Sequence, residues 1–227
     1  MIFCDEKGNP AAEMFNLYGS HDTSRKIRDQ IQWNAEIKKI VWAEIVRSKI
    51  RGQLSNLPET YTDARNLLQT YITEIQPGDP TNREAHAAKV YFNALFGMDF
   101  SRSDDHLINA ALNYGYGILL SAFNREIVSC GYLTTLGIFH DNMFNHFNLS
   151  CDFMEPFRPF VDRLVCKLQF TKFDHEEKLQ MVDILNQNIC VHNQNHFMNN
   201  AIRIYTLSVL EALNTNDVSV IQNPAYE

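Results

Sequence analysis

Residues 152–159 read DFMEPFRP, and this stretch decides how the middle of the chain is built. A proline within a helix is tolerated only in the first turn, so Pro156 predicts a helix that begins near Asp152. Asp152 and Glu155 are then spaced i, i+3 and project from one face of the helix start. Two such carboxylates repel each other unless something positive neutralises them. A purely local interpretation also stands, because acids favour the positive end of a helix dipole and Arg158 is near enough to pair with either.

Helical periodicity continues on both sides of this stretch. Apolar residues recur at helical spacing after Asp22, which predicts one long helix of about 28 residues, broken at Leu57-Pro58. Further helices are predicted at 62–75, about 81–96, about 103–130, from about 152, at about 174–187 and at 198–214. Residues 1–4 resemble the end of a strand for which no partner is evident. The predicted fold class is mainly α, with a multi-helix domain over 21–227 and a remnant strand with its linker over 1–20.

The composition limits the possible classes of protein. A chain of 227 residues with 45% hydrophobic residues can bury one sizeable core. It contains no run of about 18 apolar residues and no basic, apolar signal peptide at its start. Its five cysteines are odd in number and scattered, which favours reduced thiols in a cytoplasm over a zinc site or a disulfide framework. The motifs for ATP hydrolysis, dinucleotide binding and serine-hydrolase chemistry are absent from the sequence.

Charge is unevenly distributed in a chain whose net charge is −7. Residues 21–51 hold eight Lys/Arg against four acids, or +4, whereas residues 170–227 hold three against seven, or −4. A basic helix on an acidic body can follow a phosphate backbone. The candidate DNA contacts are Arg25, Lys38, Lys39 and Arg47. The alternative is a solvated helix with ion pairs within it.

Three further positions, Glu84, Tyr91 and His140, bear polar side chains that could bind a metal ion or a phosphate. Glu84 shares a predicted helical face with Tyr91, which could donate a hydrogen bond to a phosphate. Thr81-x-x-Glu84 also matches a capping box, so a local role for Glu84 remains open. His140 is a lone histidine, a kind that is more often structural than a ligand. Two or three carboxylates with one imidazole form the ligand set of a hard cation such as Mg²⁺ or Mn²⁺.

A second histidine arrangement is weaker. His192 and His196 are spaced i, i+4, which suits a metal ion bound on a helix. The asparagine- and glutamine-rich residues around them indicate a polar loop instead. This pair is therefore not taken as a candidate metal site.

Several ordered blocks of sequence together resemble one family. They are DPTNREAHAA (79–88), YFNALFG (91–97), DFSR (99–102), INAALNYGY (108–116), LGIFH (136–140) and FNLSCDFMEPFRP (147–159). In this order they resemble the catalytic protein of CRISPR adaptation, a metal-dependent DNA nuclease and integrase that inserts new spacers, and they are most similar to the type II systems. The resemblance covers about residues 1–165 well and the remainder loosely.

The resemblance implies a site and a reaction. Its metal ligands fall on Glu84, His140 and Glu155, with Asp152 as the neighbouring acid and possible additional ligand. The implied chemistry is Mg²⁺- or Mn²⁺-assisted transesterification, in which prespacer 3′-hydroxyl ends are joined to the CRISPR repeat. The residues expected to hold the DNA backbone are Arg83, Tyr91, Arg158 and the basic helix at 25–51.

The resemblance also implies partners. These are double-stranded DNA, a small ferredoxin-like adaptation protein that bridges two catalytic dimers, and a second copy of the chain. Family members carry a β-rich domain before the helical one, and residues 1–20 are expected to hold only its last strand. A strand without a partner exposes its edge, so we expect weakened or altered dimerisation. The alternative function is a truncated, non-catalytic DNA-binding or assembly domain.

Overall fold

The computed structural model describes residues 2–4, 10–14, 22–168 and 171–226. Most of these residues are helical, which confirms the mainly α fold class. The α-helices are α1 (Thr23–Ile31), α2 (Ala35–Asn56), α3 (Thr62–Glu74), α4 (Arg83–Phe96), α5 (Leu107–Ser129), α6 (Asn148–Met154), α7 (Arg158–Leu168), α8 (His175–Val182) and α9 (Met198–Thr215). Turns of 3₁₀ helix lie at Glu155–Phe157, Asp183–Asn186 and Val218–Val220. The strands are β1 (Ile2–Cys4), β2 (Pro10–Glu13), β3 (Asn188–Val191), β4 (Gln194–Phe197) and β5 (Pro224–Ala225).

Two long helices, α2 and α5, form the centre of the fold. α2 packs against α3, α4, α7 and α9, while α5 packs against α6, α7, α8 and α9. Val41 and Ile45 of α2 and Leu119 and Phe123 of α5 are fully buried in this core. Because both central helices contact α7, the 3₁₀ turn that leads into α7 is held from two sides.

The long helix predicted after Asp22 is in fact two helices. α1 ends at Ile31 and α2 begins at Ala35. Trp33 is buried in the turn between them, and its indole Nε1 donates a hydrogen bond to Asn214 Oδ1 over 2.8 Å. Asn34 then caps α2 by accepting a hydrogen bond from the Glu36 amide. The prediction of one helix was wrong because a contact with a distant residue fixes the turn.

The N-terminal strand has a partner within the chain. β1 pairs with β2 in an antiparallel arrangement that aligns Ile2 with Glu13 and Phe3 with Ala12. The expectation of a lone strand was therefore wrong, although the pairing occupies only one edge of each strand, and the expected change in dimerisation stays a prediction. Residues 5–9 and 15–21, which contain the predicted turn and the predicted domain boundary, lie outside the described residues.

A hairpin replaces the polar loop predicted near residue 193. β3 and β4 pair in antiparallel register, and β5 pairs with the other edge of β3. The turn residues His192 and Asn193 both have positive φ angles, 52° and 59°, as a two-residue type I′ turn requires. His192 and His196 therefore do not share a helical face. Among the described helices, none is long and apolar enough to cross a membrane.

Candidate active site

The acid Glu155 lies at a break between two helices. α6 ends at Met154, the 3₁₀ turn spans Glu155–Phe157, and α7 begins at Arg158. Pro156 has no amide hydrogen, and the change from α to 3₁₀ geometry accommodates it. The helix predicted from Asp152 instead begins at Asn148, so Asp152 lies within α6 and not at its positive end.

Two carboxylates converge on one buried ammonium group. Lys49 of α2 has a side chain that is 8% exposed, and its Nζ forms ion pairs with Glu84 Oε1 and, at 2.6 Å, with Glu155 Oε2. Arg158 Nε lies 2.8 Å from the other oxygen of Glu155. The structure therefore brings together Glu84 and Glu155, which are 71 positions apart in sequence, around a shared positive charge.

Glu155 and Lys49 hold each other in their ionised forms. Burial acts to raise the pKa of Glu155, but Arg158 and Lys49 outweigh it and the pKa is lowered. Burial acts to lower the pKa of Lys49, but Glu155 and Glu84 outweigh it and the pKa is raised. Oε2 of Glu155 is buried and lacks a donor in hydrogen-bond geometry, although Lys49 lies at ion-pair distance. Lys49 is therefore the group that this oxygen meets in the structure.

Glu84 is free of the local role that the sequence left open. Asn82 precedes α4 in a left-handed conformation and makes no side-chain capping bond. Asp79 caps the helix instead, with its two carboxylate oxygens accepting hydrogen bonds from the amides of Arg83 and Glu84, each over 2.9 Å. The capping-box interpretation was wrong, and the Glu84 carboxylate turns toward Lys49.

Asp152 anchors the loop that carries His140. Its carboxylate is fully buried and accepts hydrogen bonds from the amides of Ile138, Phe139 and His140 over 2.7, 3.2 and 3.0 Å. A Cβ atom at Gly137 would lie 2.2 Å from the His140 carbonyl oxygen and 2.8 Å from Asp152 Oδ2, so the loop has no room for a larger residue there. Both oxygens of Asp152 are occupied. Asp152 is thus an anchor, and the expectation that it could be an additional metal ligand is not supported.

His140 is oriented by the same carboxylate. Its Nδ1 lies 2.6 Å from Asp152 Oδ1, and its side chain is 40% exposed. The hydrogen bond to Asp152 raises the pKa of His140 against the opposing effect of burial, and the charge of Glu155 adds to the increase. Because Asp152 engages Nδ1, the other ring nitrogen, Nε2, is the one left to meet a ligand or substrate.

The predicted ligand set is only partly assembled. Glu84 and Glu155 meet at Lys49, and His140 is near enough for its charge to affect the pKa of Glu155. No group of three His, Cys, Asp or Glu residues that could hold a metal ion occurs in the part of the chain that the structure describes. The two carboxylates and His140 are the kinds of donor that a hard divalent ion takes, but Lys49 Nζ occupies the point at which the carboxylates meet.

Three of the residues predicted to contact DNA are engaged within the chain: Tyr91 is buried, and Arg83 and Arg158 form ion pairs. Tyr91 is fully buried, and its hydroxyl accepts a hydrogen bond from Asn56 Nδ2 over 2.8 Å, so its assignment to a phosphate contact was wrong. Arg83 forms an ion pair with Glu74 over 3.0 Å. Arg158 pairs with Glu155 and is partly exposed.

The basic segment forms ion pairs within its own helices. Arg25 pairs with Asp29, Lys39 with Glu36 and Arg47 with Glu44. These pairs agree with the solvated-helix interpretation. Lys38 is half-buried, and no ion pair is described for it. Contact between this segment and DNA stays a prediction.

Sequence reasoning missed two buried charged residues. Lys49 was counted in the basic segment but was not recognised as the centre of the site. The available signal was its position one turn after Ile45 and two turns after Val41, on the apolar stripe of the helix, where a buried lysine requires acid partners. Asp162 of α7 was not considered. It is 1% exposed, and its Oδ1 accepts a hydrogen bond from the Tyr116 hydroxyl over 2.5 Å.

Asp162 makes the stability of the fold depend on pH. Burial raises the pKa of Asp162 from 3.8 to about 6, so the folded chain keeps this proton where the unfolded chain has lost it. Its contribution to stability is greatest below about pH 4 and declines as pH rises to about 6. We expect Asp162→Asn, which cannot titrate, to gain about 3 kcal/mol in unfolding free energy relative to wild type between pH 4 and pH 7.

Urea denaturation of both proteins at a series of pH values measures this difference. Asp63→Asn, at an exposed position of α3, serves as the control and should follow wild type throughout. A constant difference between wild type and Asp162→Asn from pH 4 to 7 would contradict the raised pKa.

Comparisons with known proteins were made for the whole chain. A family model described as CRISPR associated protein Cas1 matches residues 1–186. A CRISPR-associated endonuclease Cas1 from Neisseria meningitidis serogroup C (strain 8013) is 40% identical over 169 residues, which cover 74% of this chain and 56% of that relative. A CRISPR-associated endonuclease Cas1 2 from Pyrobaculum aerophilum is 35% identical over 150 residues, covering 58% and 48%. The chain spans about half the length of these relatives.

Solved structures share the fold. A chain of the "Partial Cas6-RT-Cas1--Cas2 complex" matches with a TM-score of 0.77 and 16% identity, covering 99% of this chain and 80% of that one. A chain of "Casposase bound to integration product" matches with a TM-score of 0.71 and 17% identity, covering 92% and 68%. At these identities the likeness concerns the fold alone.

Proposed function

The chain belongs to the CRISPR-associated Cas1 family, and on that premise we propose that it is the catalytic domain of a metal-dependent DNA endonuclease and integrase of spacer acquisition. The main observation behind the proposal is that the carboxylates of Glu84 and Glu155 both contact the Lys49 ammonium group. His140, whose ring is oriented by Asp152, lies beside them. The names of the relatives and of the integration-product structure support the reaction class.

The proposed cofactor is Mg²⁺ or Mn²⁺. Glu84 and Glu155 would hold it through carboxylate oxygens, with Nε2 of His140 as the third donor or as an acid beside it. When bound, such an ion polarises phosphoryl oxygens and stabilises a leaving oxygen. Lys49 holds the two carboxylates close together, and a divalent ion would take over the carboxylate oxygens that its Nζ now contacts.

The chain's own residues supply the remaining chemistry. In the proposed reaction a DNA 3′-hydroxyl attacks a phosphodiester of the repeat and loses its proton to water, so that one P–O bond forms and the bond to the leaving 3′-oxygen breaks. Asp152 holds Nδ1 of His140, which leaves Nε2 to deliver a proton to the leaving oxygen. Arg158, partly exposed at the edge of the cluster, can donate to a phosphate oxygen.

The proposed partners follow from the family. They are double-stranded DNA, both prespacer and repeat, a small ferredoxin-like protein of the Cas2 kind, and a second copy of the chain. Solved complexes with the same fold carry Cas1 and Cas2 in their titles. The proposed backbone contacts are Arg83, Arg158, Arg25, Lys38, Lys39 and Arg47.

We expect the chain to nick branched DNA in Mn²⁺ and to lose this activity in EDTA. Glu84→Ala should lower the nicking rate by more than roughly a hundredfold, because it removes one of two carboxylates at the cation site. Glu36→Ala, on the exposed start of α2, is the matched control and should retain the wild-type rate. Metal-dependent nicking that survives in Glu84→Ala would refute the proposed role of this residue.

A second candidate function is non-catalytic DNA binding or assembly. It is favoured by the incomplete ligand group among the described residues. It predicts DNA binding that is unaffected by EDTA, with no nicking in Mn²⁺ by wild type.

A further inference from the structure

The C-terminal segment contacts the helical segments that carry Lys49 and Glu155, which together with Glu84 are called the acid site below. β5 pairs with β3, placing Ala225 opposite Cys190 and Pro224 opposite Val191. The next residue, Tyr226, leaves the sheet, and its ring stacks on Phe160 of α7 with centroids 5.2 Å apart. The sheet thus anchors the backbone of this segment while its tyrosine enters the helical core.

The hydroxyl of Tyr226 joins the two segments that carry the acid site. It donates a hydrogen bond to the Pro156 carbonyl oxygen over 2.6 Å and lies 3.2 Å from Ser48 Oγ. Ser48 directly precedes Lys49, and Pro156 directly follows Glu155. One hydroxyl therefore connects the immediate neighbours of the two ion-pair partners.

The helix opposite the tyrosine is shaped to admit its ring. A Cβ atom at Gly52, one turn after Ser48, would lie 2.5 Å from Tyr226 Cε1 and 2.8 Å from Pro159 Cγ. Glycine in a helix interior lowers helix stability, so its use here has a packing reason. The absent side chain leaves the space between α2 and α7 that the ring of Tyr226 fills.

We infer that Tyr226 is a positioning residue for the acid site, setting the separation of Glu155 and Lys49 through its bonds to Pro156 and Ser48. It touches neither the substrate nor the reacting atoms. The inference rests on the proposed function in one respect, namely that these acids bind a divalent cation. A group that supports ligands from behind typically changes metal affinity about 10- to 100-fold when it is removed.

Tyr226→Phe tests the inference because it keeps the stacked ring and removes only the hydroxyl. The control is Tyr132→Phe, which removes a hydroxyl from another buried tyrosine, hydrogen-bonded to Asn214 near the α1–α2 turn. We expect the Mn²⁺ dissociation constant, measured by isothermal titration calorimetry, to rise about tenfold in Tyr226→Phe and to change less than about twofold in Tyr132→Phe.

Two glycine substitutions, one of them a control, test the contact between Tyr226 and α2 from the side of the helix. Gly52→Ala should push the ring away although the hydroxyl is intact, and it should weaken Mn²⁺ binding as Tyr226→Phe does. Gly117→Ala is the control, because a Cβ at that position of α5 would meet no atom within 4 Å beyond the adjoining residues and backbone of its own helix. Its Mn²⁺ affinity should equal that of wild type.

A second measurement needs no metal. The side-chain ¹⁵N signal of the buried Lys49 ammonium, assigned by its loss in Lys49→Met, should shift or broaden in Tyr226→Phe and stay unchanged in Tyr132→Phe. Unchanged Lys49 signals and Mn²⁺ affinity in Tyr226→Phe would overturn the inference, whatever happens to the melting temperature. If wild type neither binds Mn²⁺ nor nicks DNA, the proposed function fails, and the Lys49 signal alone decides whether Tyr226 positions the acid site.

Discussion

Replacing Glu155 with glutamine is expected to abolish Mn²⁺-dependent nicking and to lower the free energy of unfolding by about 3–5 kcal/mol. The loss of stability follows from the surroundings of the carboxylate. Arg158 would keep no described acid partner, and buried Lys49 would keep only Glu84, which is 27% exposed. Activity falls for a separate reason, because the site loses one of its two converging carboxylates.

Urea denaturation at pH 7 and a nicking assay in Mn²⁺ measure the two effects of Glu155→Gln. Glu36→Gln, which disturbs an exposed pair with Lys39, should stay within about 0.5 kcal/mol of wild type. Adding Lys49→Met to Glu155→Gln should recover part of the stability, since it removes a buried charge, while nicking stays absent. Unchanged unfolding of Glu155→Gln would show that the ion-pair cluster does not stabilise the fold.

Asp152→Asn is expected to lower the nicking rate by about 10²- to 10⁴-fold and the unfolding free energy by about 3 kcal/mol or more. The carboxylate accepts three backbone amides and the His140 ring, all from one loop. Asparagine offers one acceptor oxygen, and its amide group would place donors against donors. The loop would loosen, and His140 would lose the partner that fixes its ring.

Two comparison variants separate these contributions. His140→Ala should reduce nicking to a similar extent but cost less stability, because the ring is 40% exposed and the three amide bonds to Asp152 remain. Asp141→Asn, at the exposed neighbouring acid, should match wild type in both assays. Normal nicking by Asp152→Asn would remove the oriented imidazole from the proposed mechanism.

The parts of the fold that the sequence predicted well are those with local causes. α2 ends at Asn56 just before Leu57-Pro58, and α4 ends at Phe96 just before Gly97, as the proline and the glycine indicated. The break between α1 and α2 has only one local signal, Asn34, which caps α2. It depends on the bond from Trp33 to Asn214, a residue 181 positions away, and no pattern near Trp33 could reveal that partner.

The candidate site was also predicted where the sequence carries a signal and missed where distant contacts decide. The order of the family-like sequence blocks identified Glu84, His140 and Glu155. The structure places the two glutamates together. The central position of Lys49 depends on packing between α2, α4 and the 3₁₀ turn, which sequence spacing does not express. Tyr91 lies on the helical face of Glu84, but it is two turns further along, where α2 covers it.

The reach of Tyr226 also bears on how the molecule folds. Its hydroxyl meets Ser48 across 178 residues and Pro156 across 70. Contacts between such distant positions require large loops to close first, which slows folding. During synthesis, a chain that has emerged as far as residue 200 already contains every acid and base of the site but lacks the tyrosine that holds them at their distance. We therefore expect the acid site to reach its final geometry among the last events of folding.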